Sequence, residues 1–193
     1  FMSRVLAFDT WQEQWGNTDR ILTEEQNESV AMQTFSGLDL TKRIVEAQTD
    51  IDGMTAAKRC WNYQKGGLQW YLPCLMELGV LCAYHDEINK AMKEIGCPDE
   101  CLLPTEDSDE TWVWSSSEGS QTNSWFVYFS NGNFYSYYKY YSGMVRAVAA
   151  FQPSPSLLTG EAKSNDCLHS DEALINMLRE RGYKGELTKT LTI

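Results

Sequence analysis

The dipeptide Asn131-Gly132 limits the fold of this chain more than any other feature, because it closes a run of strand-like periodicity, Trp125-Phe126-Val127-Tyr128-Phe129. Asn-Gly beside alternating residues is the strongest short-range signal for a β-hairpin, since both central turn residues need a positive φ. Side chains alternate across a strand. Trp125, Val127 and Phe129 are therefore expected to point inward, and Phe126 and Tyr128 outward. Met144 to Phe151 reads as a mostly buried closing strand.

Around this hairpin, from Trp112 to Phe151, stand six of the chain's ten tyrosines: Tyr128, Tyr135, Tyr137, Tyr138, Tyr140 and Tyr141. Their neighbours are largely Ser, Asn, Gly, Thr and Phe. Tyr supplies a large amphipathic contact surface at low entropic cost, and Ser, Gly and Asn supply adaptable hydrogen bonding. All of these residue types can be reached from an Asn codon by replacing its adenines, whereas Lys, Glu, Gln, Met and Trp cannot. The reachable types crowd certain positions, while Trp112, Trp114, Trp125, Val127, Lys139, Val145, Arg146 and Val148 form a constant framework. A disordered aromatic low-complexity tract would carry no such periodic framework. The segment reads as diversified positions on a fixed scaffold.

Tyr135, Tyr137, Tyr138, Tyr140 and Tyr141 cannot all be core, because adjacent residues in extended chain face opposite ways. An exposed aromatic patch marks an interaction site. The candidate contacts are Ser120, Asn123, Phe126, Tyr128, Asn131, Asn133, Tyr135, Tyr137, Tyr138, Tyr140, Tyr141 and Gly143. Trp112, Trp114, Trp125 and Phe129 read as core or framework, and Phe134 fits either role. Lys139 and Arg146 read as framework residues that tie loops together.

With 193 residues, 42% of them hydrophobic, the chain can bury a sizeable core as one domain with short appendages. A formal net charge of -11 argues against nucleic acid, whose phosphates reward clustered Lys and Arg, and against anionic membrane surfaces. A neutral or basic partner surface stays allowed. No apolar run approaches the roughly 20 residues that span a bilayer, so no membrane insertion is expected. The start FMSRVLAFDTW has no apolar stretch leading to a small-residue cleavage site, which puts any targeting signal outside this sequence. The six scattered cysteines, Cys60, Cys74, Cys82, Cys97, Cys101 and Cys167, read as buried thiols rather than a disulfide framework. A zinc site at Cys97 and Cys101 would need two more ligands, and His85 and His169 are the only histidines. Neither a metal nor a cofactor is expected.

Along the chain, Ser3 to Trp11 suits an edge strand, followed by an acidic loop or short helix. A short helix is expected in TKRIVEAQ, ended by Gly53, and another after the cap Thr55 with Ala57, Cys60 and Trp61 on one face, ended by Gly66-Gly67. Pro73 is placed to open a third helix, with Leu75, Leu78, Leu81 and Cys82 as its buried stripe. A fourth runs from Asp86, with Ile88, Ala91, Met92 and Ile95 recurring at i, i+3, i+4 and i+7 and Gly96 as its stop. Domain boundaries follow: residues 1–151 form one domain with the variable region at about 112–151, and 152–193 form a Pro/Ser linker, a helix and a strand.

GGLQWYLPCLMEL at Gly66 to Leu78, Ile88-Asn89, WSSSE at Trp114 to Glu118, SWFVYFSNGN at Ser124 to Asn133, Lys139 and VRAVAAF at Val145 to Phe151 occur in an order that resembles the variable proteins of diversity-generating retroelements. The likeness runs from about Leu38 to Phe151 and is nearest to the gut Bacteroides and phage type. It implies an α+β, C-type-lectin-like fold related to the formylglycine-generating-enzyme scaffold, with two main helices and a small antiparallel sheet displaying the variable face. It also implies a ligand- or receptor-binding role, as in phage tropism determinants and surface adhesins, on a phage tail or a bacterial cell surface. The partner is expected to be a protein or other cell-surface ligand, and oligomerisation is open. Two positions depart from that pattern: a tail follows the variable region, and Cys74 stands where Ser or Thr is usual. The alternative role is structural, with the aromatic face assembling a phage tail or pilus.

No Glu-Pro-Asn, Gln-Pro-Asp or Trp-Asn-Asp tripeptide supports calcium-dependent sugar binding. The acidic run Glu106 to Glu110 reads as a solvated turn rather than a calcium loop. No cysteine lies between Trp112 and Phe151, and Cys167 with His169 has no orienting third residue, so no catalysis is expected.

Overall fold

The computed structural model describes residues 3–16, 19–105 and 111–151. The chain divides between Gln152 and Pro153, and the tail helix, tail strand, Cys167, His169 and the acidic run Glu106 to Glu110 lie outside the described residues. The fold is α+β. Among the described residues there are five α-helices, α1 (Glu28–Ala31), α2 (Gly37–Ala47), α3 (Ala56–Trp61), α4 (Leu75–Ala83) and α5 (His85–Glu94). Six strands, β1 (Ser3–Gln14), β2 (Trp70–Tyr71), β3 (Trp112–Glu118), β4 (Asn123–Tyr128), β5 (Phe134–Tyr138) and β6 (Ser142–Phe151), form one sheet.

The sheet runs β1-β6-β3-β4-β5, with β2 added to β6. Val148 of β6 pairs with both Leu6 of β1 and Tyr71 of β2, so these two strands occupy opposite edges of β6. The expected wholly antiparallel sheet is instead mixed, because β3 meets β6 in parallel at Val113 and Met144. The first strand is indeed at an edge.

Alternate residues of the same strands feed two cores. Trp112, Trp114, Phe126, Val145, Ala147 and Ala149 pack with Ile44 of α2 and Ala56, Ala57 and Cys60 of α3. Val113, Val127, Phe129 and Met144 pack with Leu78, Leu81 and Cys82 of α4 and Ile88 of α5. Every residue of β3 is buried as a result, which is what helices on both faces of a sheet impose.

Several helix boundaries shift from their expected places for local reasons. The second helix ends at Ala47, well before Gly53, and the third at Trp61, before Gly66-Gly67. Thr55 caps α3 as expected, and its hydroxyl also donates to Gln48 Oε1 at 2.6 Å. Pro73 does not open α4, since Cys74 is the N-cap and Leu75 the first helical residue. Glu77 then accepts the Cys74 N–H at 3.0 Å and the Tyr71 hydroxyl at 2.8 Å. A Cβ on Gly37 would lie 2.1 Å from Glu77 Oε2, so glycine is needed where α2 crosses this capping site. Burial pushes the Cys74 thiol up to about 12, and it pushes the Cys60 thiol up as well. The five described cysteines are free thiols.

In α5 the buried stripe is Asn89 and Met92, whereas Ala91 and Ile95 are exposed. Asn89 wins over Ala91 because its amide does what no apolar side chain can. Nδ2 donates to Leu103 O at 2.9 Å and Oδ1 accepts Leu103 N–H at 2.8 Å. Asn89→Ala leaves both buried backbone groups unpaired and is expected to cost about 2–3 kcal/mol, read as a lower urea midpoint with unchanged m.

Candidate binding face

The β4–β5 hairpin turns at Asn131-Gly132 as expected, but only Gly132 takes a positive φ, +71°, and Asn131 does not; the loop is longer than a two-residue turn, with Gly132 N–H donating to Tyr128 O at 2.9 Å and Tyr128 N–H to Asn133 O at 3.0 Å. Strand pairing then sets Ser124 opposite Tyr137, Phe126 opposite Tyr135 and Trp112 opposite Tyr128. These residues share one face of the sheet.

On that face the aromatics form two tiers. The lower tier is Trp112, Trp114 and Phe126, with the Trp112 ring 4.6 Å from Trp114 and 4.8 Å from Phe126. The upper tier stands on it: Phe126 lies 5.3 Å from Tyr128, 6.0 Å from Tyr135 and 6.4 Å from Tyr137. The chain of rings continues through Tyr137 and Tyr141, stacked at 4.6 Å, and Tyr138 and Tyr140, stacked at 5.4 Å. Tyr135, Tyr137, Tyr138, Tyr140 and Tyr141 remain 40–50% exposed. Such offset contacts hold the rings in place while leaving their edges and hydroxyls to solvent.

Two of the hydroxyls, those of Tyr137 and Tyr140, hold their protons more tightly than a free phenol. Tyr141, hydrogen-bonded to Tyr137, raises the Tyr137 pKa above the ordinary phenol value. Desolvation, then the Tyr141 hydroxyl, raises that of Tyr140. The face offers neutral donors and acceptors over flat apolar rings.

Two expected contacts are buried instead of exposed. Phe126 was expected outward but is 5% exposed and belongs to the core, because the tyrosines and the indoles of Trp112 and Trp114 cover its face of the sheet. Gly143 is buried beneath Trp112, whose ring atoms would lie 2.1 Å from an added Cβ. Trp125, expected inward, is only half-buried on the other face, where its indole N–H donates to Gln26 O at 2.7 Å. Val127 and Phe129 point inward as expected.

The other candidates divide by position. Ser120 organises its own turn, accepting Asn123 N–H at 3.0 Å, and Asn123 sits half-buried beside it. Asn131 and Asn133 are exposed at the opposite end of β4, and Asn131 lines a groove with Gly79, Cys82, His85 and Phe129 rather than joining the tyrosines. Tyr128 is half-buried at the margin.

What aims the tyrosines is a buried ion pair. Lys139, between Tyr138 and Tyr140, is fully buried with its Nζ 2.6 Å from Glu118 Oε1. It donates also to Arg20 O at 3.1 Å and Gln121 O at 2.9 Å and lies 4.8 Å over the Trp15 ring. Desolvation lowers the Lys139 pKa against the opposing pull of Glu118, so the pair orients the turn rather than adding much stability. Glu118 in turn accepts Thr23 N–H and the Thr23 hydroxyl, each at 2.6 Å. Glu118 went unread in the sequence except as the end of WSSSE. Its signal was a carboxylate closing a strand that carries no other charge.

The serines before it are equally buried and equally structural. Ser115 Oγ donates to Trp125 O at 2.7 Å, and Ser117 Oγ accepts Leu75 N–H at 3.2 Å at the start of α4. Arg146, also buried, donates Nη1 to Ala7 O at 3.0 Å and Phe8 O at 2.5 Å and Nη2 to Cys101 O. Those Ala7 and Phe8 carbonyls fall in the register break between Leu6 and Thr10, so the guanidinium clamps a bulge in β1. Both framework readings hold.

Compared with models of known protein families and with curated proteins, the chain matches none. Among the described residues no group of three or more His, Cys, Asp or Glu side chains is placed to hold a metal, and no helix is long and apolar enough to cross a membrane.

Proposed function

We propose that this chain is a non-catalytic recognition protein in which a C-type-lectin-like scaffold carries a binding face diversified by a retroelement. The observation that carries the reading is the pairing of five half-exposed tyrosines with a wholly buried support of Trp112, Trp114, Phe126 and the Lys139–Glu118 pair. Side chains on such a support can be exchanged without disturbing the core, and a few ring anchors among hydroxyls supply affinity at low ordering cost. The partner is a protein or other ligand on a cell surface, met from a phage tail or from another cell.

Two measurements test it. Sibling copies of the locus are expected to differ at Tyr135, Tyr137, Tyr138, Tyr140 and Tyr141 and to keep Trp112, Trp114, Glu118, Lys139 and Arg146; an unchanging tyrosine face favours permanent assembly in a tail or pilus instead. Replacing Tyr137, Tyr138, Tyr140 and Tyr141 together by Ser is expected to abolish binding to bacterial cells that bind the wild-type chain, while the Tm stays nearly unchanged. A large fall in Tm would make these rings core and end the proposal.

A further inference from the structure

The tyrosine face borders a strand edge that no other described strand covers. β5 ends the sheet, and among the described residues it pairs only with β4. In an antiparallel ladder, residues alternate between bonding the neighbour and pointing their N–H and C=O away from it. Tyr128 N–H to Asn133 O at one end and Lys139 N–H to Thr122 O at the other fix the phase. Phe134, Ser136 and Tyr138 therefore turn their N–H groups to the open side; the Phe134 and Ser136 carbonyls lie there too, whereas Tyr138 O accepts Tyr141 N–H at 3.1 Å.

Edge strands invite pairing with other chains, and monomeric proteins blunt them with charge, proline or bulges. The other edge of this sheet follows that rule. β1 has the register break between Leu6 and Thr10, and its Asp9 and Glu13 are held in ion pairs with Lys65 and Arg59. β5 breaks it: Phe134-Tyr135-Ser136-Tyr137-Tyr138 holds no charge and no proline, pairs with β4 without a register break, and is exposed from Tyr135 to Tyr138.

The geometry points to β5 as a strand-addition site whose occupant is an extended, non-acidic segment of a partner protein. This rests on the recognition role proposed above and names the partner's form. Main-chain hydrogen bonds to such an edge supply affinity, and alternate side chains supply specificity. Here Tyr135 and Tyr137 would flank the incoming strand on the tyrosine face, with Ser136 on the other. On a diversified strand this division has a use: the backbone bonds persist whichever side chains occupy the edge. A net charge of -11 disfavours acidic segments.

The test uses the full chain and a displayed library of random twelve-residue peptides as the probe. Enriched peptides are expected to bind, to shift and protect from exchange the amides of Phe134, Ser136 and Tyr138, and to be poor in Asp and Glu. Ser136→Pro removes only an outward N–H, which an edge strand tolerates. It is expected to weaken those peptides about tenfold or more with little change in Tm. Peptides that bind Ser136→Pro as tightly as wild type, while the four-tyrosine variant loses them, overturn strand addition and leave the recognition role standing. Loss in neither variant overturns both. No enriched peptide, or self-association of the chain that Ser136→Pro abolishes, also overturns the proposal. The amide measurement is made on the wild-type chain and decides the matter if Ser136→Pro fails to fold.

Discussion

Lys139→Met is expected to lower the free energy of unfolding by about 3–5 kcal/mol, because it strands the Glu118 carboxylate in the interior without a counter-charge. Glu118 keeps the Thr23 N–H and hydroxyl bonds, but both side chains of the pair are 0–1% exposed, so no water replaces the ammonium. Against the roughly 5–15 kcal/mol typical of a domain, such a loss is a large fraction. Adding Glu118→Gln removes the stranded charge and is expected to recover most of the stability. It is not expected to recover the turn, because the bonds from Lys139 to Arg20 O and Gln121 O stay lost. Urea unfolding of the single and double variants reads the first effect, and exchange of the Tyr141 amide, which donates to Tyr138 O, reads the second. Equal stability of Lys139→Met and wild type would show that the pair carries no structural role.

Gly143→Ala is expected to cost about 1–3 kcal/mol or more through overpacking, although it adds a single methyl group. The new Cβ would fall 2.1 Å and 2.2 Å from Trp112 Cζ3 and Cη2. Trp112 has nowhere to go, since it is wedged against Trp114 and Phe126 and lies 6.3 Å from the Tyr137 ring. The strain therefore reaches the tyrosine face. Trp112→Phe in the same chain removes the indole atoms that clash and is expected to return part of the lost stability, a coupling that a double-mutant cycle measures. Sibling copies are accordingly expected to keep glycine at this position, and a population of stable siblings with larger residues there would refute the packing account.

Residue patterns made much of this legible. Strand phase, the Asn131-Gly132 turn, the Thr55 cap and the framework roles of Lys139 and Arg146 all follow from local rules: a period of two, a positive φ, a hydroxyl at a helix start, and cations stranded among apolar and aromatic neighbours. Phe126 and Trp125 were not legible, since periodicity says which residues share a face and nothing about which face is covered. Both faces of this sheet carry apolar side chains, so the alternation was real and its inside and outside were open. Gly143 was not legible for a related reason, because a small residue in a segment rich in Tyr, Ser and Asn looks the same whether it faces solvent or an indole.

The sequence by itself determined the α+β content, the hairpin and the presence of more tyrosine rings than one core could hold, because these depend on neighbours a few residues away. Only the tertiary structure decided which rings are exposed, what pins them and which edge of the sheet is open. Those outcomes depend on Trp112 meeting Gly143, on Glu118 meeting Lys139 and on β5 having a single neighbour among the described strands, contacts between residues far apart in the chain. No local pattern encodes them.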